Sequence, residues 1–222
     1  AVSGESSAGN PVSITHPVTV DLTPAAITIN TIATDDVINA AEKGTDLTLS
    51  GTTTNVEAGQ TVTVTFGGKN YTATVAGDGS WTTTVPAADL ASLTDGSATA
   101  QASVSNVNGN SASAVHNYSV DSSAPTIIIN TVASDNIVNA SEADAGVTVG
   151  GSTTAEAGQI VTITLNSPTV QTYQATVQAD GSWSINIPAA DLAALTDGSH
   201  TLTATVNDKA GNPASTTHNL AV

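Results

Sequence analysis

The run TVTVTFGGKNYTATVAGDGSWTTTV, residues 61–85, alternates apolar with small polar side chains and breaks twice, at GG and at GDG. Alternation with a period of two sends successive side chains to opposite faces of a β-strand. Gly-Gly and Asp-Gly between such runs are turn signals. The stretch therefore reads as three short strands joined by tight turns. Further alternating runs follow it, ATAQASV at 98–104 and SAVHNYSV at 113–120, with TDG and NGN as their turns. About seven short strands in ~100 residues is the pattern of an immunoglobulin-like β-sandwich. The chain has no cysteine, so Trp81 and Trp183 must pack without the inter-sheet disulfide of antibody domains. PAADLASL, 86–93, is the one helical-looking piece. Its Pro86 suits a first helical position, and Leu90 and Leu93 are placed to plug an open end of the sandwich.

The whole pattern then returns. ITIN at 27–30 matches IIIN at 127–130, EAGQ at 57–60 matches 156–159, and DGSW at 78–81 matches 180–183. PAADLA recurs at 188–193 and LTDGS at 195–199. The second copy absorbs small insertions, most visibly NSPTVQT at 166–172, where the first has GGKN; this belongs in a hairpin loop. A third, partial copy opens the chain, since AGNPVSITHPVTVD at 8–21 aligns with NGNSASAVHNYSVD at 108–121 and AGNPASTTHNLAV at 210–222. The expected organisation is three pieces: residues 1–20 as the closing strands of a preceding repeat, then full repeats at 21–120 and 121–222. It reads as a window on a longer array, an all-β rod of tandem sandwiches.

Composition narrows the function. Of 222 residues, 39% are hydrophobic, enough for real cores despite a formal charge of −16. Against 19 acids stand three basic residues, Lys43, Lys69 and Lys209. Nucleic-acid binding needs a basic footprint that this chain lacks. No apolar run approaches the ~20 residues of a membrane-spanning helix. Absence of both cysteine and methionine suits a chain exported unfolded across an envelope.

The acids collect in one place. TIATDDVINAAEKG, 31–44, and its twin TVASDNIVNASEAD, 131–144, each pack acids and carboxamides into a loop between strand A (27–32 in the first copy) and strand B (46–51). Strand alternation puts this loop at the same end of the sandwich as Asp95 and the exit VDSSAP, 120–125. The facing end of the next repeat presents Glu156, Asp180 and Asp208. Unpaired acids so close would repel by a few kcal/mol even at an effective dielectric near ~20. A divalent cation is the natural neutraliser, and oxygen-only donors favour calcium over zinc. The candidate ligands are Asp21, Asp35, Asp36, Asp95, Asp121, Asp135, Asn136 and Asp197. Glu42 and Glu142 are read either as ligands or as partners for their own loop backbone. Asp78 and Asp180 are assigned to hairpin turns, and Asp89 and Asp191 to the first turn of the short helices.

No catalytic residue is expected. His16, His116 and His218 share one repeat position on a closing strand and read as structural. No serine lies in a nucleophile elbow. Tyr71, Tyr118 and Tyr173 are the only candidates for a sugar-stacking platform and form no sequence cluster.

Taken together, VDSSAPTIIINTVASDNIVNASE, AEAGQIVTITL and ADGSWSINIPAADLAALTDGSHTLTATVNDKAGNPAS resemble the bacterial Ig-like repeats of giant biofilm-associated and non-fimbrial adhesins exported by type I secretion. The resemblance implies a secreted, cell-surface, monomeric stalk with calcium at its junctions, neighbouring repeats as its partners, and adhesion to host or bacterial cells through other parts of the protein. By the same likeness the junction ligands are Asp21 and Asp121 of the VD pairs, with Asp35, Asp36 and Asp135 of the loops. Asn136 stands where the first copy has Asp36, one charge fewer. The alternative readings are a carbohydrate-binding module and an accessory domain of a secreted hydrolase.

Overall fold

A computed structural model describes residues 2–9, 11–17, 20–166 and 170–222. The opening segment forms a two-stranded antiparallel hairpin of β1 (Val2–Glu5) and β2 (Pro11–Ile14). Each full repeat then builds its own pair of facing sheets.

In the first full repeat, β3 (Ala26–Ile27), β5 (Leu47–Thr54) and β8 (Ser80–Val85) make one sheet in the order β3-β5-β8. The other holds β4 (Val37–Ile38), β10 (Ser111–Val120), β9 (Gly96–Ser105), β6 (Thr61–Phe66) and β7 (Lys69–Thr74), in that order. The second repeat copies this with β11 (Ile127–Ile129), β12 (Val147–Thr153) and β15 (Ser182–Ile187) facing β14 (Gln171–Thr176), β13 (Ile160–Asn166), β16 (Ser199–Asn207) and β17 (Pro213–Ala221). The inserted loop of this copy sits in the β13–β14 hairpin, whose register closes at Leu165 against Gln171; residues 167–169 lie outside the described residues.

Alternation does what the sequence requires of it. Val62, Val64 and Phe66 of β6 are buried while Thr61 and Thr65 face solvent. They join Leu49, Trp81, Val85, Leu90, Ala100 and Ala102 in one core. Val161, Ile163, Leu165, Val149, Trp183, Ile187, Leu192 and Leu202 repeat that core in the second copy. The two cores share no residue, so each sandwich buries its own apolar faces.

Two expectations need correction. The acidic loop between strands A and B is not a plain loop. It carries β4 and a one-turn helix, α1 (Ala40–Lys43), and β4 crosses to the opposite sheet to pair parallel with the end of β10. The second copy keeps α3 (Ala140–Ala145) and reduces the strand to a single parallel bridge, Ile137 to Ala221. The short helices α2 (Ala87–Leu90) and α4 (Ala189–Leu192) do exist, and Leu90 and Leu192 plug the sandwich. Pro86 and Pro188, however, sit at the N-cap with ψ of 146° and 150°, outside the first helical position. A proline there loses no helical bond, because an N-cap amide has no acceptor within the helix, while the Pro86 carbonyl accepts the amides of Asp89 and Leu90.

Candidate functional site at the repeat junction

The β3–β5 crossing is locally unusual. Ala33, Thr34 and Asp36 all have positive φ, and Ala133, Ser134 and Asn136 repeat this. Such backbone is costly for residues with a Cβ and persists only when side chains hold it. Asp36 supplies the hold: its Oδ1 accepts the Ile32 amide at 2.8 Å, and Asn136 Oδ1 accepts the Val132 amide at 2.9 Å. Asp and Asn are the residues that tolerate this region. The same oxygen accepts from an imidazole, His116 Nε2 at 2.7 Å in the first copy and His218 Nε2 at 2.7 Å in the second. This role needs an acceptor oxygen and no charge, which accounts for Asp in one copy and Asn in the other. The acid partner of His116 lies 80 positions away and has no local signature in the sequence.

The remaining predicted ligands divide into local and junctional ones. Asp35 and Asp135 cap the amides of Val37 and Ile137, each at 3.0 Å. Glu42 and Glu142 close capping boxes on Asn39 and Asn139, the loop-backbone role left open above. Asp21 accepts the Thr23 amide and Asn108 Nδ2. Asp95 reaches the linker, where it accepts the Ser122 amide and the hydroxyls of Ser122 and Ser123. Asp121 has a long contact with the Ser123 amide, 3.4 Å, and Asp197 is exposed. Lys43 stands beside this cluster, donating to Leu93 O and Ser122 Oγ.

What joins the repeats is a set of amide hydrogen bonds. Asn39 Nδ2 donates to Ala210 O at 3.1 Å, and the Ala40 amide donates to Asn212 Oδ1 at 2.8 Å. Asn212 Nδ2 in turn donates to Asp121 O at 2.9 Å and to Asp208 Oδ2 at 2.9 Å. Asn212 is 1% exposed and Asp208 7%. The buried carboxylate is thus satisfied by the Asn212 amide and side chain together. Neither Asn39 nor Asn212 was among the expected site residues; the N-cap pattern Asn39 to Glu42 was the signal that could have raised the first.

The donor chemistry is right for calcium, but the placement is not a cage. Asp35, Asp135, Glu42 and Glu142 are spent on their own loops and Asp95 on the linker serines, and among the described residues no group of three or more His, Cys, Asp or Glu could hold a metal ion. The tyrosines form no platform either. Tyr118 is buried and stacks on Phe66 with ring centroids 4.6 Å apart. Tyr71 and Tyr173 are half-buried with hydroxyls on Asp89 and Asp191. Burial, then the Asp89 carboxylate, push the Tyr71 hydroxyl up to about 12.

These bonds set the acid behaviour of the fold. In residues 21–120, Asp36 is held below the ordinary value of 3.8 by the Ile32 amide and then His116. Asp78 is lowered by Ser80, Asp89 by Lys69 and then Tyr71, and Asp95 by Ser123 and then Ser122. In the second copy Asp180 is lowered in the same way, by Ser182. A carboxylate with a depressed folded pKa stabilises the fold above its unfolded value and loses that contribution as pH falls through the folded one. Both repeats are therefore expected to lose stability as pH falls below about 3.8. Urea midpoints of the two repeats, read from their amide resonances during acid titration, would check it; midpoints that stay unchanged through that range would contradict it.

Two sandwiches with separate cores, joined head to tail through backbone and carboxamide bonds, define a tandem immunoglobulin-like module. Residues 130–222 match the model of the bacterial Ig-like domain, and the chain belongs to that family. It is similar to a solved Ca2+-stabilized adhesin with which an Antarctic bacterium reaches out and binds ice, at 35% identity and a TM-score of 0.59, over 99% of this chain and 54% of that one. The chain thus spans about half the length of that structure. It is similar also to a solved part of a 1.5-MDa bacterial ice-binding adhesin, at 32% identity and a TM-score of 0.58, over 99% of this chain and 71% of that one. No curated protein matches the chain in sequence.

Proposed function

We propose that this chain is a non-enzymatic spacer segment in the extracellular stalk of a large bacterial surface adhesin, exported by type I secretion and serving adhesion and biofilm formation. The observation that carries this reading is the seam itself. Buried Asn212 ties the second repeat to both the linker and the first repeat, so the molecule invests its polar groups in holding neighbours in line. Similarity over nearly the whole chain to segments of ice-binding adhesins supports the setting. Inter-domain interfaces of modest area leave domains free to move unless something fixes them; in a stalk that freedom shortens reach.

Calcium belongs to the proposal as a separate element. Asp95 and Asp121 at the linker, with Asp35 and Asp36 on the neighbouring loop, are the residues of this chain that would donate oxygens, with Asp21, Asp135, Asn136, Asp197, Glu42 and Glu142 as their counterparts and neighbours. Their present hydrogen bonds would have to be exchanged for the ion. An ion that binds only the folded chain raises its stability by mass action. Solution scattering and thermal melting, with calcium and with chelator, test the point. A longer maximum dimension and a higher midpoint in calcium are expected. Identical curves would remove the ion and leave a string of modules tied by hydrogen bonds alone.

A further inference from the structure

The chain contains its own control for what a neighbour does to a repeat end. Ala210 and Asn212, which receive the first repeat, are buried; their counterparts Asn108 and Asn110 are exposed and half-buried. Asn39, which bonds the second repeat, is half-buried; its counterpart Asn139 is exposed. The hydrogen-bond partners follow the same division. Asn110 Nδ2 donates to Asp21 O at 3.2 Å, as Asn212 does to Asp121 O, yet Asn110 Oδ1 has no donor among the described residues. Asn139 Oδ1 caps α3 through the Glu142 amide, as Asn39 caps α1, yet Asn139 Nδ2 has no acceptor among the described residues. What the occupied seam satisfies, the other two ends leave open.

We propose that Asn139 with the Ala140 amide, and Asn110 with the Asn108 carbonyl, are the two complementary halves of a carboxamide clasp, each receiving a further copy of this same repeat. The inference rests on the tandem-stalk reading and names its partner: a sandwich that presents an Asn at the Asn212 position to the Asn139 end, or an N-cap Asn followed by a free amide to the Asn110 end. The clasp involves no ion. It is directional, because one end supplies a side-chain donor and a backbone amide while the other supplies a backbone carbonyl and a side-chain oxygen. Two like ends cannot satisfy each other in this way, so copies join head to tail only.

The test lengthens the chain behind Val222 with a second copy of residues 121–222 and measures residual dipolar couplings of each repeat in chelator. The variants are Asn39→Asp in the original chain and Asn139→Asp in the lengthened one. Aspartate keeps the N-cap acceptor that the helix needs and puts a charged acceptor oxygen, which cannot donate, where Nδ2 stood. The added copy should align with residues 121–222 as these align with 21–120. Each variant should reduce alignment across its own seam severalfold while the amide spectrum of each repeat stays folded. Independent tumbling of the added copy, or no response to Asn139→Asp, overturns the assignment of the open ends. No response to Asn39→Asp, or disorder of the original seam in chelator, overturns the clasp altogether. The stalk reading is judged separately, by whether the original chain is extended in its own scattering curve.

Discussion

Gly51→Ala is expected to unfold the first repeat at physiological temperature, and Gly151→Ala the second, each leaving its neighbour folded. A Cβ built on Gly51 would lie 1.9 Å from Thr28 O and 2.6 Å from Cζ2 of Trp81; on Gly151 it would lie 1.9 Å from Ile128 O and 2.8 Å from Trp183 Cζ2. Contacts below 3.0 Å do not occur for real Cβ atoms. Neither obstacle can withdraw. The carbonyl belongs to the paired neighbouring strand, and the indole fills the core at 2% exposure. β5 and β12 are the middle strands of their three-stranded sheets, so moving them away breaks pairing on both sides. Overpacking costs ~1–3 kcal/mol where side chains can adjust. With backbone as the obstacle the cost should exceed about 3 kcal/mol, a large share of the ~5–15 kcal/mol that holds a domain together. Gly77, with ordinary φ and open space around its Cβ position, provides the control: Gly77→Ala should leave the urea midpoint unchanged. A Gly51→Ala midpoint equal to that of the parent would show that the strand yields after all.

The strands were legible because each announces itself: a Thr-Val alternation cannot be satisfied as a helix without exposing half its apolar groups. Doubling by repeat made the reading firmer. The crossing strand β4 was not legible. A two-residue strand has no periodicity, and its partner in β10 is some eighty positions away. The acids were visible as a cluster in the sequence, but their partners were not. Asp36 reads as a charge in need of a cation until the left-handed backbone beneath it and His116 beside it are known. The Asn39 to Glu42 capping box was open to inspection and was overshadowed by the charge argument. Tyr71 and Asp89 stand eighteen apart, as do Tyr173 and Asp191, but every pair in this block keeps its interval between the copies, so spacing alone does not mark the contact. Asn212 offered no signal either, because its role depends on how one sandwich meets the next.

Replacing the core tryptophans is expected to separate the two copies in a way that their shared repeat pattern conceals. Trp81→Ala and Trp183→Ala should each cost about 3–5 kcal/mol, as truncation of a buried aromatic does, since both indoles are 2% exposed. The phenylalanine variants are more informative. Trp81 Nε1 donates to Thr28 O at 3.2 Å. Trp183 Nε1 is buried without a partner among the described residues. Trp81→Phe loses volume and a hydrogen bond of net worth ~0.5–1.5 kcal/mol. Trp183→Phe loses the same volume but also removes a buried donor whose unmet desolvation costs ~1–3 kcal/mol. The first change should therefore be the more destabilising by roughly 1.5–4.5 kcal/mol, read as the difference in urea midpoints for the two repeats. Because the cavity term is common to both, it cancels in that difference and leaves the indole N–H as the cause. Equal losses would mean that the Trp183 N–H is satisfied in solution; a larger loss in the second repeat would mean that it matters more there than the Thr28 bond does in the first.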